Sequence, residues 1–355
     1  MNIDKNKFFL RQTLIPEIGG LGQKKWEDAS VLIIGLGGLG CPSALQLALA
    51  GIGKIGLVDF DIVEVSNLHR QTLFTWNHIG RKKIEVVSEV LIEHAPWIKI
   101  ETYSEFINSY TNSSMIQSWD IVLDCTDTIS SKYAINDFCL EKGIPLVTAS
   151  VYRTSAQFAI FSGKGNPCYR CLFPNLNQGD TLSCNEGGVL GVQTTLAGNY
   201  QASLVLQYLL NPNQIEFDTV YFMEWNPISL YQSKLQEDPD CICQKKPNQT
   251  QDAKVKKHEI DYEEWIKLKK DGATVLLDVR EMEEVLENPI ANVIHFPLSE
   301  LRNGKKPNLH VDQTIVCICE SGVRSLEALT FLNHFPKRYS MLGGRKLFVH
   351  RLTEE

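Results

Sequence analysis

The chain has no basic excess: 35 lysines and arginines stand against 42 aspartates and glutamates, a formal net charge of -7. A general nucleic-acid binder needs a basic face, so this balance argues against that class. It also has no long apolar run, since none approaches the roughly 20 residues that a membrane-spanning helix requires. The opening MNIDKNK is polar and has no apolar signal-peptide core behind it. The expectation is therefore a cytoplasmic protein with neither membrane nor nucleic acid as partner. In such a reducing compartment its ten cysteines are expected to be packing residues, metal ligands or catalytic thiols rather than disulfides. At 355 residues the chain is too long for one ordinary core, and two domains are expected.

The most informative stretch is VLIIGLGGLG, Val31 to Gly40. Four apolar residues, read as a buried parallel strand, run directly into Gly35, Gly37, Gly38 and Gly40, and a helix-like segment follows. Glycines at this junction permit a tight turn and let backbone N–H groups approach phosphate oxygens at a helix N-terminus. A second strand ends at Asp59, where an acid can hold a ribose hydroxyl. Asp61, Ser66, Asn67 and Arg70 follow it, in the region beyond a strand's carboxyl end where open α/β sheets bind ligands. Lys83 opens an amphipathic helix. A further strand ends in Asp124-Cys125-Thr126-Asp127, and two carboxylates there suggest magnesium, a hard cation that prefers oxygen ligands. The alternation of strand and helix predicts an α/β, doubly wound sheet. Strand–glycine loop–helix–acid also describes an NAD-dependent oxidoreductase, which is the rival reading at this point.

Cysteine supplies the next signal. Cys168 and Cys171 form a C-x-x-C, and Cys241 and Cys243 a distant C-x-C. Together they fit a closed four-thiolate zinc site, with a redox dithiol as the alternative for the first pair. Cys184 lies in a Gly-rich loop, SCNEGG, which favours an accessible thiol. Residues 244–257 have a linker composition: polar, lysine-rich and free of aromatics. Beyond them, a strand over 314–318 ends at Cys319, followed by a short loop and a helix carrying Arg324. Loop N–H groups, the helix dipole and Arg324 are expected to favour a thiolate or persulfide anion there.

Residues 8 to about 243 resemble the MoeB/ThiF family, relatives of the ubiquitin-activating enzymes. The resemblance rests on VLIIGLGGLG, LVDFDIVEVSNLHRQTLF, VLDCTD, CYRC and CNEGGVLG, all in order. Residues 258–355 look like a rhodanese domain, from LLDVRE through CESGVRS to the Leu342–Gly344 LGG. The tandem implies a Rossmann-like adenylation domain over 1–243, a linker and a small α/β sulfurtransferase domain. Its implied work is ATP-dependent adenylation of the C-terminal glycine of a ubiquitin-like sulfur carrier of the MoaD or ThiS type. Sulfur transfer from a Cys319 persulfide would follow, for molybdopterin or thiamine synthesis. A plain rhodanese with a regulatory nucleotide domain is the further alternative.

By the same resemblance, Gly38, Asp59, Ser66, Asn67, Arg70, Lys83 and Asp127 match the ATP site, with Asp127 near Mg2+. Thr128 stands where asparagine is common. Arg11 matches an arginine that reaches into a neighbouring subunit, which implies a homodimer. Cys184 matches the conjugating or resolving thiol, and Cys168, Cys171, Cys241 and Cys243 occupy the Zn2+ positions. Glu320 beside Cys319 is expected to repel the thiosulfate dianion, so a cysteine desulfurase persulfide is the expected sulfur donor.

Overall fold

The computed structural model describes residues 4–108, 111, 115–116, 118–174, 188–244, 258–270, 273–320, 322–345 and 347–349. Contacts divide the chain into two compact units, the first reaching to Asn248 and the second running from Gln249 to Glu355 apart from one short excursion.

In the first unit the apolar runs become the centre of an eight-stranded sheet. Its strands are β1 (Ser30–Ile34), β2 (Lys54–Val58), β3 (Lys99–Tyr103), β4 (Ile121–Asp124), β5 (Leu146–Tyr152), β6 (Ser155–Phe161), β7 (Thr219–Trp225) and β8 (Ile228–Lys234). The order is β3-β2-β1-β4-β5-β6-β7-β8, parallel through β5 and antiparallel beyond it. Thus β1 has β2 on one side and β4 on the other. The chain leaves the carboxyl ends of β1 and β4 in diverging directions, toward β2 and β5, which is the switch point where open α/β sheets take ligands. Apolar residues of β1 and β4 are buried on both faces, as continuous apolar runs require.

Two helices that the sequence pattern did not announce precede β1. They are α1 (Lys5–Thr13) and α2 (Gly19–Asp28). Phe9 is buried, and Gln12 donates to the Ala50 carbonyl at 2.8 Å and to the Gln23 side chain, which anchors α1. Helices α3 (Gly40–Ala50), α4 (Lys83–His94), α5 (Ile129–Lys142), the short α6 (Tyr169–Leu172) and the long α7 (Gly191–Leu210) complete the described unit. Among the described residues no helix is long and apolar enough to cross a membrane.

The second unit is a five-stranded parallel sheet, order β11-β10-β12-β13-β9. Its strands are β9 (Glu259–Ile260), β10 (Thr274–Asp278), β11 (Ile294–His295), β12 (Thr314–Ile318) and β13 (Arg338–Met341). Helices α8 (Tyr262–Lys269), α9 (Met282–Glu287), α10 (Leu298–Arg302) and α11 (Val323–Phe331) accompany them. Strands β10 and β12 lie side by side at the centre, so residues leaving their carboxyl ends meet.

Candidate active site

Loop 35–39 turns the chain from β1 into α3, and the need for glycine differs along it. Gly35 has φ +93°, and a Cβ there would meet the Cys125 carbonyl at 2.8 Å. A Cβ on Gly40 would lie 2.0 Å from the Gly35 carbonyl oxygen, which no side chain survives. Gly38 packs against Thr194 of α7.

Asp59, at the end of β2, holds this loop. One carboxylate oxygen accepts the Leu36 N–H at 2.7 Å and the other the Asp61 N–H at 2.8 Å. Each oxygen keeps a second lone pair, so the group can still accept from a ligand hydroxyl. Burial pushes the Asp59 carboxyl above the ordinary aspartate value; the Lys83 ammonium opposes that shift and the Asp61 carboxylate adds to it. Lys83, at the start of α4, is buried and donates to Asp61 at 2.8 Å. Burial works against its ammonium, but Asp61 and Asp59 outweigh that effect and hold its pKa above that of an ordinary lysine. Asp61 is therefore the partner that keeps a buried cation beside the loop, a pairing that no local pattern signals.

The rest of the β2–α4 crossover lies around this core. Asn67 is buried, its side-chain Oδ1 accepting the Glu64 N–H at 3.1 Å, while Ser66 is exposed. Arg70 donates to the Ser66 carbonyl at 2.8 Å. At the end of β4 the expected acid pair separates into two unlike residues. Asp124 is fully buried and accepts from Lys132 (2.8 Å), Thr148 (2.7 Å) and the Thr126 hydroxyl (2.6 Å). That is a structural network, and it removes Asp124 as a metal ligand because its oxygens face inward to fixed donors. Asp127 is exposed, and Thr128 caps α5, its hydroxyl oxygen accepting the Ser131 N–H at 3.4 Å. Arg11 is exposed on anchored α1. Cys184 lies outside the described residues.

In the same unit, Cys168, Cys171, Cys241 and Cys243 converge. Their sulfurs all lie within 4.8 Å of one another, with Cys168–Cys241 at 3.6 Å and Cys171–Cys243 at 3.5 Å. Tetrahedral zinc with bonds of about 2.3 Å needs sulfurs about 3.8 Å apart. The C-x-C bite reaches because the chain tightens into a turn, with Gln244 N–H donating to the Cys241 carbonyl at 3.0 Å. The donor set, four buried or half-buried thiols, fits a structural metal site.

In the second unit Cys319 leaves β12 fully buried, with the Gly322 N–H donating to its sulfur at 3.2 Å and the Ser325 hydroxyl 3.5 Å away. Ser325 also pairs with Ser340 at 2.8 Å. Two expectations about charge change here. Arg324 is held by Glu284 through two bonds of 2.6 Å, so its charge is committed to a neighbouring helix. Glu320 is not a bare negative charge: Arg345 grips both its oxygens at 2.8 and 2.9 Å, and Arg280 stands 3.6 Å away. Arg280, buried completely, is bonded to buried Asp278 at 2.7 Å and to the Asn288 carbonyl at 3.0 Å. The Asp278-Val279-Arg280 run at the end of β10 is the one local sign of this support.

The ThiF family model matches residues 9–245, and the rhodanese-like domain model residues 261–350. Among curated relatives, an adenylyltransferase and sulfurtransferase MOCS3 of Culex quinquefasciatus is 36% identical over 279 residues, covering 78% of this chain and 62% of that protein. The Danio rerio protein of the same name is 34% identical over 331 residues, 86% of this chain and 72% of the relative. The chain thus spans about three fifths of the length of the first of these relatives. Among solved structures, E. coli MccB superposes with a TM-score of 0.58 at 22% identity, covering 68% of this chain and 72% of that one. MccB with ATP gives 0.52 at 23% identity, over 62% and 68%. These likenesses establish the fold of the first unit.

Proposed function

Since the chain belongs to the ThiF family and carries a rhodanese-like domain after it, we propose that it adenylates the C-terminal carboxylate of a small ubiquitin-like carrier protein and then delivers sulfur to it. The observation that carries this reading is the switch point between β1 and β4, where a glycine loop, Asp59 and the buried Lys83 cation share one carboxyl edge. The MOCS3 relatives, named for both activities, support it.

ATP lies with its phosphates over Gly35–Gly40 and its ribose on Asp59. The carrier carboxylate, already ionised near neutral pH, attacks the α-phosphorus; the bond to pyrophosphate breaks and an acyl-adenylate forms. Lys83, Arg70 and Arg11 of a second copy in a homodimer balance the phosphate charge. Mg2+, held by Asp127, would supply further charge neutralisation when bound. The four cysteines around Cys168 would hold Zn2+ as a fold-stabilising ion. A persulfide on Cys319, loaded by a cysteine desulfurase, then attacks the acyl carbon with its outer sulfur and AMP leaves, giving an acyl disulfide. The Cys184 thiolate then attacks the Cys319 sulfur of that disulfide, the S–S bond to the carrier breaks and the carrier leaves as its thiocarboxylate, with Cys184 and Cys319 left as a disulfide that a small-molecule thiol reductant reopens. In the alternative, Cys184 itself displaces AMP and holds the carrier as a thioester. Because Arg345 already pairs with Glu320, the repulsion that Glu320 exerts on a thiosulfate dianion is weakened.

The experiment is exchange of labelled pyrophosphate into ATP. It is expected only when carrier is present and should vanish in Asp59→Ala. Nicotinamide reduction without such exchange would favour the oxidoreductase instead.

A further inference from the structure

Gln71 follows Arg70 in the crossover segment and is 4% exposed. Its carbonyl oxygen is buried without a hydrogen-bond partner, which is uncommon for a native amide. Its amide nitrogen points at the glycine loop: a Cβ built on Gly37 would find that nitrogen, 3.8 Å away, as its sole neighbour within 4 Å among the described residues. Gly37 therefore differs from Gly35, Gly38 and Gly40, whose Cβ positions are blocked by the protein itself. The space in front of Gly37 is open, and the group overlooking it is a nearly buried amide held by its own backbone, with Gln71 N–H donating to the Asn67 carbonyl at 3.0 Å.

We propose that Gln71 is a nucleotide-binding residue, donating its side-chain N–H to a phosphate oxygen that occupies the space before Gly37. Phosphate oxygens only accept, so the donor end facing the loop has the required polarity. The proposal rests on the ATP reading above and adds a residue to it.

The test measures equilibrium binding of ATP, its non-hydrolysable analogue and adenosine to the full chain by calorimetry. The apolar near-isostere Gln71→Met is expected to weaken both triphosphates about 10- to 100-fold, the range for one hydrogen bond to a charged group, and to leave adenosine unchanged. Gln71→Glu, which turns a carboxylate toward the phosphates, should weaken them further. Unchanged ATP affinity in Gln71→Met overturns the proposal. So does an equal fall for adenosine, which would mark Gln71 as a packing residue. Absence of ATP binding by the wild-type chain would instead overturn the adenylation reading.

Discussion

Replacing Lys132 by methionine tests how the β4–α5 turn is held, and with it the position of Asp127. Lys132 and Asp124 form an ion pair of 2.8 Å with both side chains buried. Lys132 also donates to the Ala149 carbonyl at 2.7 Å. Methionine keeps the volume of the stem but leaves the Asp124 carboxylate uncompensated in the core, a change that costs about 3–5 kcal/mol. The remaining bonds from Thr148 and Thr126 place the expected loss near the lower end, about 3 kcal/mol. For a unit of this size each kcal/mol lowers the melting temperature by roughly 2–4 °C. The variant should therefore unfold about 6–12 °C earlier. Urea unfolding of the full chain, followed by tryptophan fluorescence, reports mainly on this unit, because five of the six tryptophans precede residue 249. Pairing Lys132→Met with Asp124→Asn removes both charges and should recover more than half the loss. A single-variant cost below about 1 kcal/mol, or a double variant no better than the single one, would refute the reasoning.

In the second unit, Arg280→Met strands Asp278 in the same way and should cost about 3–5 kcal/mol, read from the unfolding signal of Trp265. Asp59 gives a pH dependence. Its folded pKa is raised, so its contribution to stability is full below the unfolded value of about 3.9 and is lost as pH rises through the folded value. Ribose binding needs the carboxylate, so ATP affinity should run the opposite way, rising with pH across that interval. Titration of ATP affinity against pH should place this acid limb above the ordinary aspartate range, and Asp59→Asn should abolish it. Cys168→Ser should lower bound zinc from about one ion per chain to a small fraction and destabilise the first unit, measured by elemental analysis and thermal unfolding.

Those features legible in the sequence were local ones. An apolar run abutting Gly35 signals a buried strand and a tight turn within ten residues, and β1, β4, β10 and β12 occur where such runs predict them. Lys83 opens α4 as its apolar spacing implies. What the sequence concealed depends on partners far along the chain. Asp124 looked like half of a metal pair because Lys132 and Thr148, which occupy it, come from the next helix and strand. Arg324 looked available to Cys319 because Glu284 is 40 residues away. Helix α1 has weak periodicity since its burial rests on Phe9 and Gln12, whose anchors lie at Trp97 and Ala50. The C-x-C pair is one residue shorter than the C-x-x-C, and the turn after Cys241 that brings its two sulfurs to the other pair is visible only in the structure.

The central claim is that one chain both activates a carboxylate and supplies the sulfur that replaces its oxygen. The most direct measurement incubates the protein with ATP, magnesium, a persulfide donor and a small carrier ending in glycine, then weighs the intact carrier. The predicted result is a mass gain equal to one oxygen exchanged for sulfur, lost in both Asp59→Ala and Cys319→Ala. Thiocarboxylate formed without ATP, or formed undiminished by Cys319→Ala, would contradict it.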